Sequence, residues 1–237
     1  MIRTVSPNRA SFGRCAACTV RSLSICGALD QADLAEFERI SRQVQFAPNE
    51  ALFSVGQLAG SVHTLTSGVA RLYKLLPDGR RQVIGFALPG DFIGTASTDR
   101  YSFSAEAVDT VTACRLSREA FTHFIERRPH FLIRINEFAA RELTTAQEQM
   151  LLLGRRTAEE KVASFLINWR NRLAQIGDVQ PTIALPMSRQ DIADYLGLTI
   201  ETVSRTLTRF EREKLLIIVS GGVRLLDAGR AAAMAAA

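Results

Sequence analysis

The chain lacks the features that would place it in or beyond a membrane. None of its apolar runs approaches the roughly 18 residues needed to span a bilayer. The first 29 residues also contain no apolar stretch of signal-peptide length followed by a small-residue cleavage site. These absences predict a cytoplasmic protein with no membrane partner. Because structural disulfides are rare in a reducing cytoplasm, the four cysteines are expected to serve metal binding, redox sensing or core packing.

Acidic residues are missing from the first 29 positions, which carry Arg3, Arg9, Arg14 and Arg21. The 237-residue chain has a net charge of +5, which permits a nucleic-acid partner without requiring one. Signals for catalysis are missing too, since no nucleotide-binding loop or substrate-pocket signature is present. We therefore expect a globular protein of two domains that is not an enzyme.

Short apolar runs dominate the first half of the chain. Residues 30–40 predict a short helix with Asp30 as its N-cap. Residues 44–116 are rich in Val, Ile, Phe, Leu and Thr and are broken by turn sequences such as PDGR and PGD, which is typical of an all-β module. The sequence around Pro77, Asp78 and Gly79 predicts a hairpin within this module.

Helical patterns dominate the second half. We predict that Gly154 interrupts a long helical segment, and that a further helix over residues 157–175 starts with a capping box of Thr157 and Glu160. The tail AAAMAAA, after Arg230, predicts a frayed helix end. The predicted domains are an N-terminal arm (1–29), an all-β module (30–129), a long helix (130–156) and a C-terminal domain (157–237).

The long helix carries apolar residues spaced by four, four, three, four and three positions. This spacing indicates a coiled-coil-like seam and hence a homodimer. A helix packed on the core of its own domain is the alternative. The predicted dimer-interface residues are Ile135, Ala139, Leu143, Ala146, Met150 and Leu153.

The segment from Ser188 to Asp227 predicts a winged helix-turn-helix. A first helix ends at Gly197, which can adopt a left-handed turn, and Thr199 can cap a second helix with an apolar stripe of Val203, Leu207 and Phe210. The sequences LLIIV and VRLLD around SGG predict the two strands of the wing.

The apolar stripe leaves polar side chains on the outer face of the second helix, where their donors and acceptors would suit a DNA major groove. Arg205 can bond a guanine edge, Glu201 can accept from a cytosine amine, and Ser204 can bond a base or contact thymine. Alternatively, Glu201 and Arg205 form only a surface ion pair. On a two-fold dimer, two such helices predict a pseudo-palindromic site on double-stranded DNA. The predicted phosphate or flanking contacts are Arg189, Thr199, Thr202 and Arg209.

Motifs along nearly the whole chain resemble those of the CRP/FNR family of bacterial transcription regulators. They are SGVARLY, PDGR, QVIGF, PGDFIG and DIADYLGLTIETVSRTLTRF. The resemblance implies an α+β chain with a β-roll like the cyclic-nucleotide-binding jelly roll, a dimerisation helix and a winged helix-turn-helix. It aligns Glu201, Ser204 and Arg205 with the residues that read TTGAT-type half-sites in FNR proteins, and it implies contacts with RNA polymerase.

The roll departs from the cyclic-nucleotide branch of this family. That branch has Gly-Glu and Arg-Ser pairs where this chain has Gly94-Thr95 and Phe103-Ser104. Without the arginine, a cyclic phosphate loses its charge-assisted partner, so no cyclic nucleotide is expected. His63 could serve haem, but a single histidine in a strand is more often a core or surface residue.

Three cysteines, Cys15, Cys18 and Cys26, follow the pattern C-x2-C-x7-C, and this spacing fits both an iron–sulfur cluster and zinc. Resemblance to the FNR-like branch, of the FnrL, FnrN and FixK type, adds Cys114 as the fourth ligand of a 4Fe-4S cluster. It implies an oxygen-responsive transcription activator. The enteric FNR spacing has five residues where this chain has seven, and FNR proteins carry an Asp at the position matching Ala146.

Two alternatives to the oxygen-responsive activator stay open. The first is a FixK-like regulator without an oxygen-labile cluster, whose cysteines bind zinc, react as thiols or hold no cofactor. The second is an iron–sulfur electron carrier, which would leave the ETVSR helix without a role.

Overall fold

The computed structural model describes residues 3–4, 13–95 and 98–236. Predictions that involve residues 1–2, 5–12, 96–97 and 237, including the role of Arg9 in the basic arm, lie outside these residues. The chain divides into two compact units. The first contains the described residues up to Lys74 together with Ile84–Glu142, and the second contains Leu75–Val83 together with residues 143 onward.

The first unit is built on two antiparallel β-sheets. A five-stranded sheet has the order β1-β2-β9-β4-β7, and a four-stranded sheet has the order β3-β8-β5-β6. The strands are β1 (Arg3–Thr4), β2 (Arg42–Phe46), β3 (Ala51–Phe53), β4 (Ser61–Ser67), β5 (Ala70–Leu75), β6 (Arg81–Ala87), β7 (Phe92–Ile93), β8 (Ser104–Ala107) and β9 (Val111–Ser117). The predicted β-roll is confirmed, and its predicted hairpin joins β5 to β6.

One hydrophobic core lies between the two sheets. Leu65 and Ala113 of the five-stranded sheet and Phe53 and Ala105 of the other belong to this core. Successive side chains of a strand point to opposite faces, so Thr64 and Cys114, each next to a core residue, face the other side of the five-stranded sheet.

A second core covers that other face, and three helices contribute to it. Phenylalanine rings dominate it: the ring of Phe131 lies 5.6 Å from that of Phe124 and 6.4 Å from that of Phe37, between ring centroids. Ile25 and Leu29, from the cysteine-bearing segment, pack in the same core. The helices are α1 (Gln31–Ile40), α2 (Arg118–Glu126) and α3 (Pro129–Arg155), and a 3-10 helix spans Ile25–Ala28.

Helix α3 corrects one prediction. It runs through Gly154 and ends at Arg155, whereas we predicted an interruption at the glycine. Gly154 costs a helix only about 1 kcal/mol relative to alanine. A Cβ at this position would meet nothing within 4 Å. The break comes instead from Thr157, whose capping box with Glu160 starts the next helix as predicted.

The second unit contains the predicted winged helix-turn-helix. A three-stranded sheet of order β10-β12-β11 stands beside the helices. Its elements are α4 (Ala158–Gln175), β10 (Ile183–Ala184), α5 (Arg189–Leu196), α6 (Ile200–Arg212), β11 (Leu216–Val219), β12 (Gly222–Leu225) and α7 (Ala228–Ala236). No helix in the described part of the chain combines the length and apolar content needed to cross a membrane.

The alanine-rich tail corrects a second prediction. It belongs to α7, and Ala231 is buried rather than frayed. The carbonyl of Ala235 accepts hydrogen bonds from the guanidinium of Arg156 at 2.6 Å and from the hydroxyl of Ser164 at 3.3 Å. The tail is therefore part of the packed second unit.

Candidate functional site

The four cysteines line one cavity of about 310 Å³ in the first unit. Cys15 and Cys18 lie in consecutive turns, where the Cys18 N–H donates to the Cys15 carbonyl. Cys26 lies in the 3-10 helix, and its N–H donates to the hydroxyl of Ser24, the N-cap, at 3.2 Å. Cys114 comes from β9, so the sheet supplies one wall, and the arm together with Phe37 of α1 supplies the others. All four are free thiols.

A carboxylate at the end of α1 holds the arm in place. Glu38 accepts from the backbone N–H of Arg14 at 2.8 Å and from that of Cys15 at 3.3 Å. The Arg14 guanidinium also donates to the Ser41 carbonyl at 3.3 Å. Arg21 likewise donates to the Leu29 carbonyl at 3.1 Å. Arg14 and Arg21 of the basic arm therefore both stabilise the local backbone through hydrogen bonds.

Burial raises the pKa values of three of the four thiols, and neighbouring thiols add to the rise. Burial raises the pKa of Cys15 to about 12, and the neighbouring Cys114 adds to the rise. Burial also raises the pKa of Cys26 to about 12, and burial together with Cys18 raises that of Cys114. Among the described residues, no three His, Cys, Asp or Glu side chains are arranged to hold a single metal ion. The cavity therefore keeps these three thiols protonated at neutral pH unless a cationic group replaces their protons.

The helix-turn-helix is formed as predicted. Gly197 has φ 62° and ψ 39°, the left-handed turn that separates α5 from α6. The Thr199 hydroxyl accepts from the Thr202 N–H at 3.2 Å and caps α6. Val203, Leu207 and Phe210 are buried, so the opposite face of α6 is available to a partner.

The predicted base-reading residues lie together on that face. Glu201 and Arg205 are exposed and Ser204 is half-buried. No ion pair joins Glu201 to Arg205 among the described residues. Hydrogen bonds from its own backbone N–H and the Thr199 side chain lower the pKa of Glu201, and the charge of Arg205 adds to the lowering. The two side chains therefore attract each other without forming a direct ion pair in this structure.

The predicted phosphate or flanking residues differ in whether other residues of the protein already bind their side chains. Arg189 is exposed at the first position of α5. Thr199 and Thr202 bond each other at 3.0 Å between their hydroxyls. The guanidinium of Arg209 pairs with Glu159 and, at 2.8 Å, with Glu213. A phosphate contact by Arg209 stays a prediction, and it would have to compete with two carboxylates.

A buried ion pair that the sequence did not reveal holds α5. Asp191 is 1% exposed and accepts from Arg81 at 2.6 Å, while its other oxygen accepts from the Ser188 N–H and hydroxyl. Arg81 also donates to Asp194 at 2.8 Å. Arg81 comes from the Leu75–Val83 segment of the same unit. Asp191 and Asp194 lie 110 or more positions from Arg81 in the sequence. No local sequence pattern could therefore have predicted that they pair with it.

The predicted dimer interface divides into two groups. Ala139, Leu143, Ala146 and Met150 are exposed on α3, with Met150 69% exposed. The two ends are occupied within the chain. Ile135 packs half-buried against the phenylalanine-rich core. A methyl group added at Gly197 would lie 3.3 Å from half-buried Leu153. The exposed middle of the helix therefore carries the dimer prediction.

Replacing Ala146 with aspartate is expected to raise the dimer dissociation constant of the metal-free protein by about tenfold or more. A two-fold axis along α3 would bring two uncompensated charges into the interface. Sedimentation velocity at matched concentrations measures this. Thr145→Asp adds the same charge to an exposed neighbouring position about 100° round the helix and serves as the control. Unchanged sedimentation of Ala146→Asp would place Ala146 outside the interface.

His63 is a core residue. It is 1% exposed and stacks against Phe53 at 6.0 Å between ring centroids. Burial and the nearby Arg115 lower its pKa to about 3, so the imidazole is neutral at neutral pH. Phe103, where the cyclic-nucleotide branch has arginine, packs edge-on against Phe53 at 5.6 Å. The Ser104 hydroxyl accepts from the Val55 N–H at 3.0 Å.

A β-roll joined to a winged helix-turn-helix defines a class of DNA-binding transcription regulators. Two family models match the chain: a cyclic nucleotide-binding domain over residues 43–128 and bacterial regulatory proteins of the crp family over residues 185–216. The chain belongs to the CRP/FNR family, in its FNR/FixK branch. Regulators of this family bind DNA, typically as dimers.

Three relatives support this assignment. The chain is 62% identical over 220 residues to the transcriptional activatory protein AadR of Rhodopseudomonas palustris, covering 93% of this chain and 92% of that protein. It is 53% identical over 223 residues to the nitrogen fixation regulation protein FixK of Bradyrhizobium diazoefficiens, covering 94% of each. The structure of FixK2 from Bradyrhizobium japonicum matches with a TM-score of 0.78 and 36% identity, covering 84% of this chain and 98% of that one.

Proposed function

We propose that this regulator is an oxygen-responsive activator that holds a 4Fe-4S cluster on Cys15, Cys18, Cys26 and Cys114. One observation carries the proposal: the arm and strand β9 bring all four thiols to one cavity. As a dimer it would read pseudo-palindromic sites through Glu201, Ser204 and Arg205. Such a protein acts on DNA in the cytoplasm and, as an activator, contacts RNA polymerase.

The donor set fits a cluster better than a single zinc ion. Zinc needs its thiolates about 2.3 Å from one ion, and the described side chains offer no such ready-made group. A 4Fe-4S cluster gives each of four thiolates its own iron. Coordination also removes the protons that burial holds on Cys15, Cys26 and Cys114. When bound, the cluster supplies the reactivity toward oxygen.

The chain's own residues connect the cavity to α3. Cys15, Ile25 and Leu29 of the arm share the second core with Phe37 and with Phe131, in the first turn of α3. Binding at the thiols would favour the docked arm and therefore the present packing of Phe131. Loss of the cluster would release that preference, and α3 carries the exposed apolar middle on which the dimer prediction rests. This is a local chemical event that biases a two-state element.

Iron and acid-labile sulfide content of protein purified without oxygen tests the proposal. We expect about four of each per chain, a visible colour that fades in air, and weaker binding to a specific DNA site after fading. The variant Cys114→Ser should lose the colour while keeping the fold, because residue 114 is half-buried on a strand.

A second function is favoured by the 53% identity to a FixK protein. In that case the chain regulates transcription without an oxygen-labile cluster. Colourless protein that contains zinc or no metal, with DNA affinity indifferent to air, would support this function and overturn the first. The electron-carrier alternative has no support from a family of transcription regulators.

A further inference from the structure

Thr64 is the cross-strand neighbour of the one cysteine that the sheet contributes. In the antiparallel pairing of β4 with β9, Thr64 lies directly opposite Cys114. Directly opposed residues project from the same face with their Cβ atoms about 5 Å apart. Thr64 and Cys114 both line the cysteine cavity. The Thr64 side chain is therefore beside a candidate ligand on the cavity wall.

The hydroxyl of Thr64 forms no hydrogen bond with any described residue. The residue is 3% exposed, and its Oγ1 atom is buried without a hydrogen-bond partner in the described parts of the chain. A buried polar group left in this way costs free energy and calls for an explanation. Thr66 lines the same cavity, but its hydroxyl donates to the Thr112 carbonyl at 3.1 Å.

We propose that Thr64 donates its hydroxyl hydrogen bond to a sulfur of the cluster site, either the Cys114 thiolate or a cluster sulfide. The inference rests on the proposed function, because only a loaded site holds such an acceptor. A hydrogen bond to sulfur withdraws electron density from the cluster and stabilises its more reduced form, and such bonds help to set the potentials of iron–sulfur clusters. Thr64 therefore makes the loss of an electron from the cluster harder.

Thr64→Val removes the hydroxyl and keeps the branched shape, whereas Thr64→Ser keeps the donor. All three proteins should load equal iron and sulfide. Thr64→Val should have a lower midpoint potential and should bleach about two- to tenfold faster at fixed dissolved oxygen, the effect of one hydrogen bond. Dioxygen would take one electron from the cluster and become superoxide, and this transfer would be easier from a cluster of lower potential. Thr64→Ser should match the wild type in both measurements.

The metal-free proteins provide an independent readout. Because the Thr64 hydroxyl lacks a partner, metal-free Thr64→Val should be at least as stable to urea as the wild type. Thr66→Val removes a hydroxyl that is bonded to the protein, so it should lower stability by a measurable shift in urea midpoint and leave the potential unchanged.

The failures can be told apart. Wild-type protein without iron and sulfide would overturn the proposed function and this role together. Wild-type protein that loads the cluster, with Thr64→Val equal to it in potential and bleaching rate, would overturn the role of Thr64 alone. A Thr64→Ser variant that behaves like Thr64→Val would also overturn it, because the donor would then be irrelevant.

Discussion

Arg205→Ala is expected to weaken binding to a specific DNA site by about 1–3 kcal/mol, or about 5- to 150-fold. Arg205 is exposed on the outer face of α6 and forms no direct ion pair with an acidic side chain among the described residues. Its guanidinium can make two parallel hydrogen bonds to one guanine, so its loss should relax preference at one base pair of each half-site. Titration of a labelled duplex at a fixed salt concentration measures the change.

Arg212→Ala is the matched control for Arg205. Arg212 lies on the same face of α6 but at its last residue, about 10 Å further along the axis. Both variants lose one positive charge, so binding to unrelated DNA should weaken equally in both. If Arg205→Ala weakens specific and unrelated DNA by the same factor, Arg205 contacts only the phosphate backbone.

Phe131→Ala should destabilise the metal-free protein by about 3–5 kcal/mol, the usual range for deleting a fully buried aromatic ring. Phe131 is 0% exposed and lies against the rings of Phe37, Phe121 and Phe124. The three neighbouring rings are themselves buried, so they cannot move into the space without leaving another behind. Urea unfolding at one fixed protein concentration gives the value, because the apparent stability of a protein that dimerises depends on its concentration.

Phe138→Ala provides the comparison for Phe131. It removes the same ring two turns further along α3, where the side chain is only half-buried at the edge of the core. Its cost should be about 1–2 kcal/mol. Equal costs for the two variants would mean that the phenylalanine cluster does not depend on Phe131.

Local signals in the sequence predicted most of the secondary structure. Asp30, Thr157 and Thr199 cap the helices that they were predicted to cap, and Gly197 forms the left-handed turn. Such features succeed because a cap or a turn depends on residues within about four positions. The family resemblance, carried by motifs along the chain, predicted the β-roll and its order relative to the winged helix.

Contacts between residues far apart in the chain could not be predicted from the sequence. The alanine tail has only one large apolar residue, Met234, so little in it signals the packing that buries Ala231. Arg81 meets Asp191 across 110 positions. Residue spacing alone did not connect Cys114 to the N-terminal cysteines, because that proximity arises where the arm packs against the face of the sheet that contains β9.

The shared packing of the arm and the start of α3 has a thermodynamic consequence. Cys15 and Phe131 belong to one core. A ligand bound to the thiols and a partner bound to α3 would therefore both stabilise the same packing of that core. Linkage between two such sites is reciprocal. If a ligand at the thiols strengthens pairing of two protomers by some factor, pairing must strengthen the hold on that ligand by the same factor. Retention of a ligand at the thiols would then depend on the concentration of the protein.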